Sequence, residues 1–216
     1  MKKIIDQKLE EKLKFLSGVN TWDTYSNGDI SLIKMSDGPH GLRYVYEEVN
    51  YEQHSLNNRV YPTLSTLANS WNKDILYSIG KCLALDAIEQ NVDIVLAPGV
   101  NLKRHPFCGR NFEYLSEDSF LAGSLASSYI KGIQDKGISA CIKHFACNNR
   151  EKDRFYQTSE VDVRALNEEY LKAFRIAINE ANPWTIMCSY NPVNGIYASE
   201  NKYLLIDVLR NEFGYE

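Results

Sequence analysis

Four short apolar segments of this chain each run directly into a polar loop. The apolar segments are SLIKM, VDIVL, ISACI and WTI, and the loops span residues 36–43, 97–118, 143–154 and 187–195. Segments with helical spacing of apolar residues follow most of these loops. Strands that alternate with helices are typical of βαβ units, so the pattern predicts an α/β domain with a mostly parallel sheet.

The hydrophobic pattern also gives approximate bounds for the elements. It predicts strands at 31–35, 92–96, 138–142 and 184–188, with a further one at 62–70. It predicts helices at 6–16, 72–90 and 118–136, and two more that begin at Asp162 and Ser199. Residues 44–60 are polar and without a clear period, which predicts an excursion from the fold. About five strand–helix units follow from these bounds.

Two architectures fit this alternation, an open doubly wound sheet and a (β/α) barrel. An open sheet usually carries a glycine-rich phosphate turn after its first strand, and the chain has neither G-x-G-x-x-G nor a Walker A sequence. Polar loops after every strand favour a barrel, in which all strand ends contribute to one site. Because a complete barrel takes eight strands and about 250 residues, these 216 residues predict an incomplete (β/α)8 TIM-like barrel.

The charge and the cysteine content of the chain limit the classes of binding partner and the cellular compartment that we expect for it. The net charge is −4 and no basic run exceeds Lys2-Lys3, which argues against nucleic acid and anionic membranes as partners. The amino end does not resemble a secretory signal, and no apolar run approaches the roughly 20 residues of a membrane span. The five cysteines include no C-x-x-C, which predicts reduced thiols in a cytoplasmic setting.

A metal site is not predicted either. Cys141, His144 and Cys147 are spaced three apart, and His105 and Cys108 lie in another loop. Without a C-x-x-C pair, and with Cys141 expected in the core, this spacing is poor for zinc. We expect no cofactor.

The first two loops each carry a candidate ligand contact with a structural alternative. Asp37 lies in an Asp-Gly-Pro turn just past a strand, where it accepts hydrogen bonds either from ligand hydroxyls or from its own backbone. The planar fork of Arg110 suits two ligand oxygens, but Arg110 can also pair with Glu113. Both roles can hold together for Arg110. Arg43 ends the first loop.

The third and fourth loops add further candidates. Lys143 and His144 directly follow an apolar strand, and a chain that bends there can bring both into one site. A lone histidine is more often structural than catalytic, but a lysine buried without a partner is costly, which makes the Lys-His pair a candidate for the site. Arg154 ends the same loop. In the fourth loop Met187 is placed to line a pocket and Tyr190 to donate its hydroxyl, although core packing explains either alone.

Together these loops resemble glycoside hydrolase family 3, of the β-glucosidase type. The likeness runs from about Leu16 to Glu216 and rests on SDGPHGLR, APGVNLKRHPFCGRNFEYLSED, KHFACNNREKDR and MCSYNPVNGIYASEN, in the family's order. The third motif reads KHFACNN rather than the KHFPGHG of the N-acetylglucosaminidase branch. The resemblance therefore implies a β-glucosidase or a related exo-acting β-glycosidase.

The resemblance assigns roles to particular positions. It implies that one group of side chains grips the hydroxyls of the terminal non-reducing sugar: Asp37, Arg43, Arg110, Lys143, His144 and Arg154. It implies that Met187 and Tyr190 border the scissile bond. The ligand it implies is a β-glucoside or a short β-gluco-oligosaccharide.

The resemblance also implies a retaining mechanism with a carboxylate nucleophile and a separate acid/base. In the family the nucleophile is an Asp in a V-x-S-D-W-like segment just beyond a helix that ends like NEFGYE, and the acid/base Glu lies in a later domain. Both positions fall beyond Glu216. Residues 1–216 are thus expected to be the N-terminal part of the barrel domain, inactive alone, with the C-terminal part of the same enzyme as a partner.

Two other hypotheses remain. A non-catalytic sugar-binding or regulatory protein derived from this family would keep the gripping residues without the chemistry. An unrelated α/β enzyme that acts on a phosphate or a nucleotide is disfavoured by the missing glycine-rich loop.

Overall fold

The sheet at the centre of the fold is parallel and follows the chain order of its strands. The computed structural model describes residues 8–43, 45–49, 52–55 and 58–216. The sheet consists, in order, of β1 (Met35–Ser36), β2 (Ile94–Val95), β3 (Ser139–Phe145) and β4 (Thr185–Cys188). Each strand pairs in parallel with the next. Parallel strands end at the same edge, so the loops that follow them lie together.

Helices cover this sheet and pack against one another. The helices of this core are α2 (Leu64–Ala68), α3 (Lys73–Glu89), α4 (Ser119–Gln134) and α5 (Lys172–Ala181), whereas α1 (Leu9–Lys14), the first in the chain, has no buried residue. Helix α4 contacts both α3 and α5. The predicted starts of α3 and α4 are confirmed by their caps. The side chain of Asn72 accepts a hydrogen bond from the backbone N–H of Asp74 at 2.8 Å, and Asp118 accepts one from Leu121 at 2.6 Å.

The core lies between β3 and the helices. All seven residues of β3 are buried, as is usual for a central parallel strand with both faces covered. The ring of Phe145 meets that of Phe174 in α5 edge to face, with the two ring centroids 5.1 Å apart, a favourable geometry for aromatic pairs. The apolar residues of β3 therefore fix the sheet against the helical layer.

The prediction of a strand at 62–70 is wrong, because α2 occupies this segment. Thr63 caps the helix by accepting a hydrogen bond from the backbone N–H of Thr66 at 3.3 Å. Leu64, Leu67 and Ala68 are buried at helical spacing. Periodicity cannot distinguish a buried helix from a strand in so short an apolar run.

The helix predicted from Asp162 begins as expected but is irregular. Asp162 caps the turn Val163–Ala165 by accepting from the backbone N–H of Ala165 at 2.9 Å. A π-helical turn, Leu166–Tyr170, then precedes α5. π-Helical turns within helices occur often near functional sites.

The helix predicted from Ser199 begins later than expected. The segment Tyr203–Glu212 is π-helical, and Asn201 accepts from the backbone N–H of Leu204 at 3.2 Å. The cap is therefore Asn201 and not Ser199. Helix α3 buries the face that carries Leu76, Leu83 and Ala87, and Ile75 on another side is 41% exposed.

Two antiparallel pairs of short strands lie outside the parallel sheet in the described residues, and one of them is Pro192–Val193 with Ile196–Tyr197. Residues Val45–Val49 and Glu52–Ser55, within the predicted excursion, form an antiparallel pair of strands. Residues 44, 50–51 and 56–57 of that excursion lie outside the described residues, as do 6–7 of the predicted first helix.

Within the described ranges, no helix combines the length and apolarity needed to cross a membrane.

Two glycines let α3 and α4 approach closely. A Cβ atom at Gly80 would lie 2.3 Å from the carbonyl oxygen of Tyr129 in α4. A Cβ atom at Gly132 would lie 2.1 Å from the carbonyl oxygen of Tyr77 in α3. Backbone atoms cannot move aside as a flexible side chain can, so the helix crossing requires glycine at both positions.

We predict that Gly80→Ala lowers the free energy of unfolding by about 1–3 kcal/mol, because overpacking forces the helices apart. The loss should occur although alanine favours a helix by about 1 kcal/mol over glycine. Urea denaturation measures it. Ser78→Ala, at an exposed position of the same helix, is the control and should leave stability unchanged or slightly raised. A Gly80→Ala variant as stable as the parent would contradict the close crossing.

Candidate functional site

A cavity of about 690 Å³ opens at the carboxyl ends of the four strands. The structure brings every predicted site residue to its lining: Asp37, Arg43, Arg110, Lys143, His144, Arg154, Met187 and Tyr190. Strand ends place them there, because Asp37 follows β1, Lys143 and His144 end β3, and Met187 lies near the end of β4. These positions span four separate loops, so only the folded sheet assembles the cavity.

The cavity wall contains a chain of alternating charges. The ammonium of Lys143 lies 2.7 Å from Asp37 Oδ1 and 3.3 Å from Glu113 Oε2. The other oxygen of Glu113, Oε1, accepts a hydrogen bond from Arg110 Nε. We call Asp37, Lys143, Glu113 and Arg110 the charge chain. Only 1% of the Lys143 side chain is exposed, so its charge depends on these two carboxylates.

Asp37 is held at the cavity by a tight turn. The backbone N–H of Arg43 donates to the carbonyl of Asp37 at 2.7 Å, which closes the turn. Gly38 has a φ of +119°, and a Cβ there would lie 1.7 Å from the carbonyl oxygen of Gly41. The turn therefore needs its glycine, and the Asp-Gly-Pro sequence has a structural role as well as a place at the cavity.

Asp37 remains ionised over a wide pH range. Burial acts to raise its pKa, but the nearby ammonium of Lys143 and a hydrogen bond from it outweigh burial, so the pKa is lowered. About a third of the Asp37 side chain is exposed. Asp37 thus presents an acceptor to the cavity while one oxygen is bound to Lys143.

Asn101 and Tyr114 hold both the backbone and the ring of His144 in position. Asn101 accepts a hydrogen bond from the His144 N–H at 2.8 Å and donates one to the His144 carbonyl at 2.9 Å. The hydroxyl of Tyr114 lies 3.3 Å from His144 Nδ1. The pairing of β3 with β4 is irregular between Lys143 and Phe145, where consecutive side chains would otherwise alternate. This irregularity is consistent with Lys143 and His144 both lining the cavity.

The imidazole of His144 is neutral at neutral pH. Burial lowers its pKa well below the ordinary value, and the positive charges of Arg110, Lys143 and Arg154 lower it further. A neutral imidazole has one donor and one acceptor nitrogen. His144 is therefore suited to a neutral polar ligand rather than to an anion.

Arg154 joins the third and fourth loops. Its Nη1 lies 2.7 Å from Glu151 Oε2. Its guanidinium lies 5.1 Å from the ring centroid of Phe155 and 5.2 Å from that of Tyr190. These contacts are within cation–π range and orient the Tyr190 ring, which is 54% exposed at the cavity.

Sequence reasoning missed several residues of the site. Glu113 was considered only as a structural partner of Arg110, yet it binds Lys143 as well. The sequence did offer a signal for Glu113, because this acidic residue follows Arg110 by three positions within the same motif. Asn101 and Tyr114, which fix His144, carried no signal because their contacts cross between loops.

The carboxylates that line the cavity are all held by cations. Within the described residues these are Asp37, Glu113 and Glu151, each bound to lysine or arginine. A carboxylate paired with a cation accepts hydrogen bonds from hydroxyl groups well, but it is held in its ionised form and is a poor proton donor. The arrangement therefore supports recognition of a ligand rich in hydroxyl groups.

A family model for the glycosyl hydrolase family 3 N-terminal domain matches residues 30–216. This chain belongs to glycosyl hydrolase family 3. The match covers most of the chain and confirms the resemblance drawn from the four loop motifs. The family 3 N-terminal domain is an α/β barrel-like domain, and the four-stranded sheet is consistent with part of such a barrel.

Two family 3 relatives match all or nearly all of the chain. Thermostable beta-glucosidase B of Acetivibrio thermocellus is 46% identical over 223 residues, which cover 100% of this chain and 29% of that protein. An exo-alpha-(1->6)-L-arabinopyranosidase of Bifidobacterium breve is 41% identical, over 98% of this chain and 28% of that protein. The chain thus spans less than a third of these family 3 relatives.

Solved family 3 structures share the fold closely. Beta-glucosidase 3B from Thermotoga neapolitana, in complex with alpha-D-glucose, superposes with a TM-score of 0.93 at 38% identity, covering 100% of this chain and 32% of that one. Beta-glucosidase from Kluyveromyces marxianus, in complex with glucose, gives 0.92 at 40% identity, over 97% and 25% of the two chains.

We predict that acidification destabilises this family 3 domain through His144. Unfolded His144 takes up a proton near its ordinary pKa of 6.5, whereas folded His144 does not. The unfolded state then binds more protons, so stability falls as pH falls below 6.5. The loss reaches about 1.4 kcal/mol per pH unit in this window.

Urea denaturation at about pH 7.5 and about pH 5.5 measures this loss in the parent and in His144→Gln, which removes the titrating group. The variant should lose less stability than the parent on acidification. An identical pH dependence in both proteins would show that His144 does not contribute.

Proposed function

We propose that this domain forms the sugar-holding wall of a β-glucosidase active site, in an enzyme that hydrolyses terminal β-D-glucosyl residues with retention of configuration. The single observation that carries the proposal is the charge chain at the strand-end cavity. The relatives named as beta-glucosidases, and the structures described with glucose, support it.

The charge chain suits a sugar because hydroxyl groups both donate and accept. Ionised Asp37 accepts from hydroxyls, and charge-assisted bonds of this kind are among the stronger ones in proteins. Lys143 has three N–H donors, of which two face Asp37 and Glu113, so one remains for a ligand oxygen. Neutral His144 can add a donor or an acceptor. Together these groups support recognition of several hydroxyls of one sugar.

Hydrolysis needs two further groups. Retaining glycosidases use a carboxylate nucleophile and a carboxylic acid/base placed about 5–5.5 Å apart. Each described carboxylate in this cavity is bound to a cation. We therefore propose that both catalytic carboxylates lie in the region of the enzyme that corresponds to the unmatched part of the relatives. The chain alone would then have no glycosidase activity.

A non-catalytic sugar-binding or regulatory role is the second candidate. The observation that favours it is the same pairing of every described cavity carboxylate, which leaves binding without chemistry. The two functions differ in one measurable respect. Only the first predicts hydrolysis once the unmatched part of a relative is supplied.

A reducing, cytoplasmic setting is part of the proposal. All five cysteines are free thiols, which supports it. Burial raises the pKa of Cys141 to about 11 and that of Cys147 to about 12, so these thiols are unreactive at neutral pH.

The test joins this chain to the unmatched C-terminal part of the Acetivibrio thermocellus relative. We expect the joined protein to hydrolyse an aryl β-glucoside and the 216-residue chain alone not to. In the joined protein, Asp37→Asn should lower kcat/KM by about 10- to 100-fold, because it removes a charged hydrogen-bond acceptor for the sugar.

Asp207→Asn is the matched control, since Asp207 is exposed and lies outside the cavity lining. It should leave kcat/KM unchanged. Turnover by the chain alone, or a folded joined protein that Asp37→Asn does not impair, would contradict the proposed role. Sugar binding by a joined protein without hydrolysis would favour the second candidate.

A further inference from the structure

Glu113 is the member of the charge chain whose two carboxylate oxygens are both taken up by cations. Its side chain is 4% exposed, and each of its carboxylate oxygens already has a cationic partner. One oxygen binds Arg110 and the other faces Lys143 at 3.3 Å. Neither oxygen of Glu113 is therefore left without a cation, so we expect Glu113 to act on a sugar through its partners.

Removing this carboxylate would change the balance of charge around two cations. Lys143 and Arg110 both lie at the cavity and both contact Glu113, so they would repel each other without it. Asp37 contacts Lys143, but no ion pair joins it to Arg110 in the described structure. Glu113 is thus the only carboxylate among these four residues that binds both cations.

The two cations need a fixed position to recognise a sugar. Lysine has a flexible four-carbon stem, and its ammonium is directed only by its partners. Arginine recognises two oxygens at once only when the plane of its fork is fixed. Glu113 holds Arg110 and is the second carboxylate partner of Lys143 after Asp37, so a change at Glu113 would act on ligand binding through both cations.

We propose that Glu113 is a positioning residue for sugar binding, which acts on the ligand only through Lys143 and Arg110. The inference rests on the proposed function, since it assumes that the cavity holds a sugar. It adds a determinant of affinity that makes no contact with the ligand.

A double-mutant cycle on the 216-residue chain tests the proposal. Glucose affinity is measured by calorimetry, and stability by urea denaturation, for the parent, Glu113→Gln, Lys143→Met and the double variant. Glu113→Gln should weaken glucose binding by about tenfold or more, because it removes the counter-charge that Arg110 has in the charge chain and one of the two that Lys143 has. Its effect should largely disappear when Lys143 is already Met, since coupled residues are not additive.

A merely structural role predicts a different result. Stability would fall in Glu113→Gln, but the folded protein would bind glucose as the parent does. Glu113→Asp keeps the charge on a shorter side chain, so it should recover part of the affinity lost in Glu113→Gln, and it takes the place of that variant if Glu113→Gln does not fold. Glu168→Gln is the control, because Glu168 pairs with Arg164 at an exposed site outside the cavity.

The outcomes separate the two proposals. Glucose binding by the parent with an unchanged dissociation constant in Glu113→Gln would overturn the inference and leave the proposed function standing. Fully additive effects of Glu113→Gln and Lys143→Met on affinity would also overturn it. No glucose binding by the parent, in a chain that denaturation shows to be folded, would count against the proposed function itself and against the inference with it.

Discussion

A lysine ammonium buried at the end of β3 is tolerable only because two carboxylates reach it. Asp37 comes from the loop after β1 and Glu113 from the loop after β2, at 2.7 and 3.3 Å from Lys143. An unpaired buried charge would cost several kcal/mol, so the positions of the three loops depend on one another. The tight turn around Gly38 and the clamp of Asn101 on His144 hold the loops in these positions.

The sequence predicted those parts of the fold that local patterns specify. Caps at Asn72 and Asp118 lie within a few residues of the periodic segments they start, so α3 and α4 were predicted well. The segment around Leu64 was misassigned because five residues of helix have no distinguishable period. The π-helical turns were not predicted, since nothing in their composition differs from that of an α-helix.

The site was predicted residue by residue but not as a network. Lys143 was selected because an isolated lysine at the end of an apolar strand needs a partner, and the structure supplies two. Which carboxylates reach it could not be read from the chain, because Asp37 is 106 positions away. The role of Glu113 is visible only when Arg110 and Lys143 are seen on its opposite oxygens.

The separation between Asp37 and Lys143 has a kinetic meaning. Contacts across 106 positions form late, because a long loop must close before they gain any energy. We therefore expect the polar cluster to be completed only after β1, β2 and β3 are in register. A polyhydroxyl ligand that bridges these loops would bind the native state and not its precursors, and would hold the assembled strands together by mass action. Recognition in this domain is thus coupled to the last steps of folding.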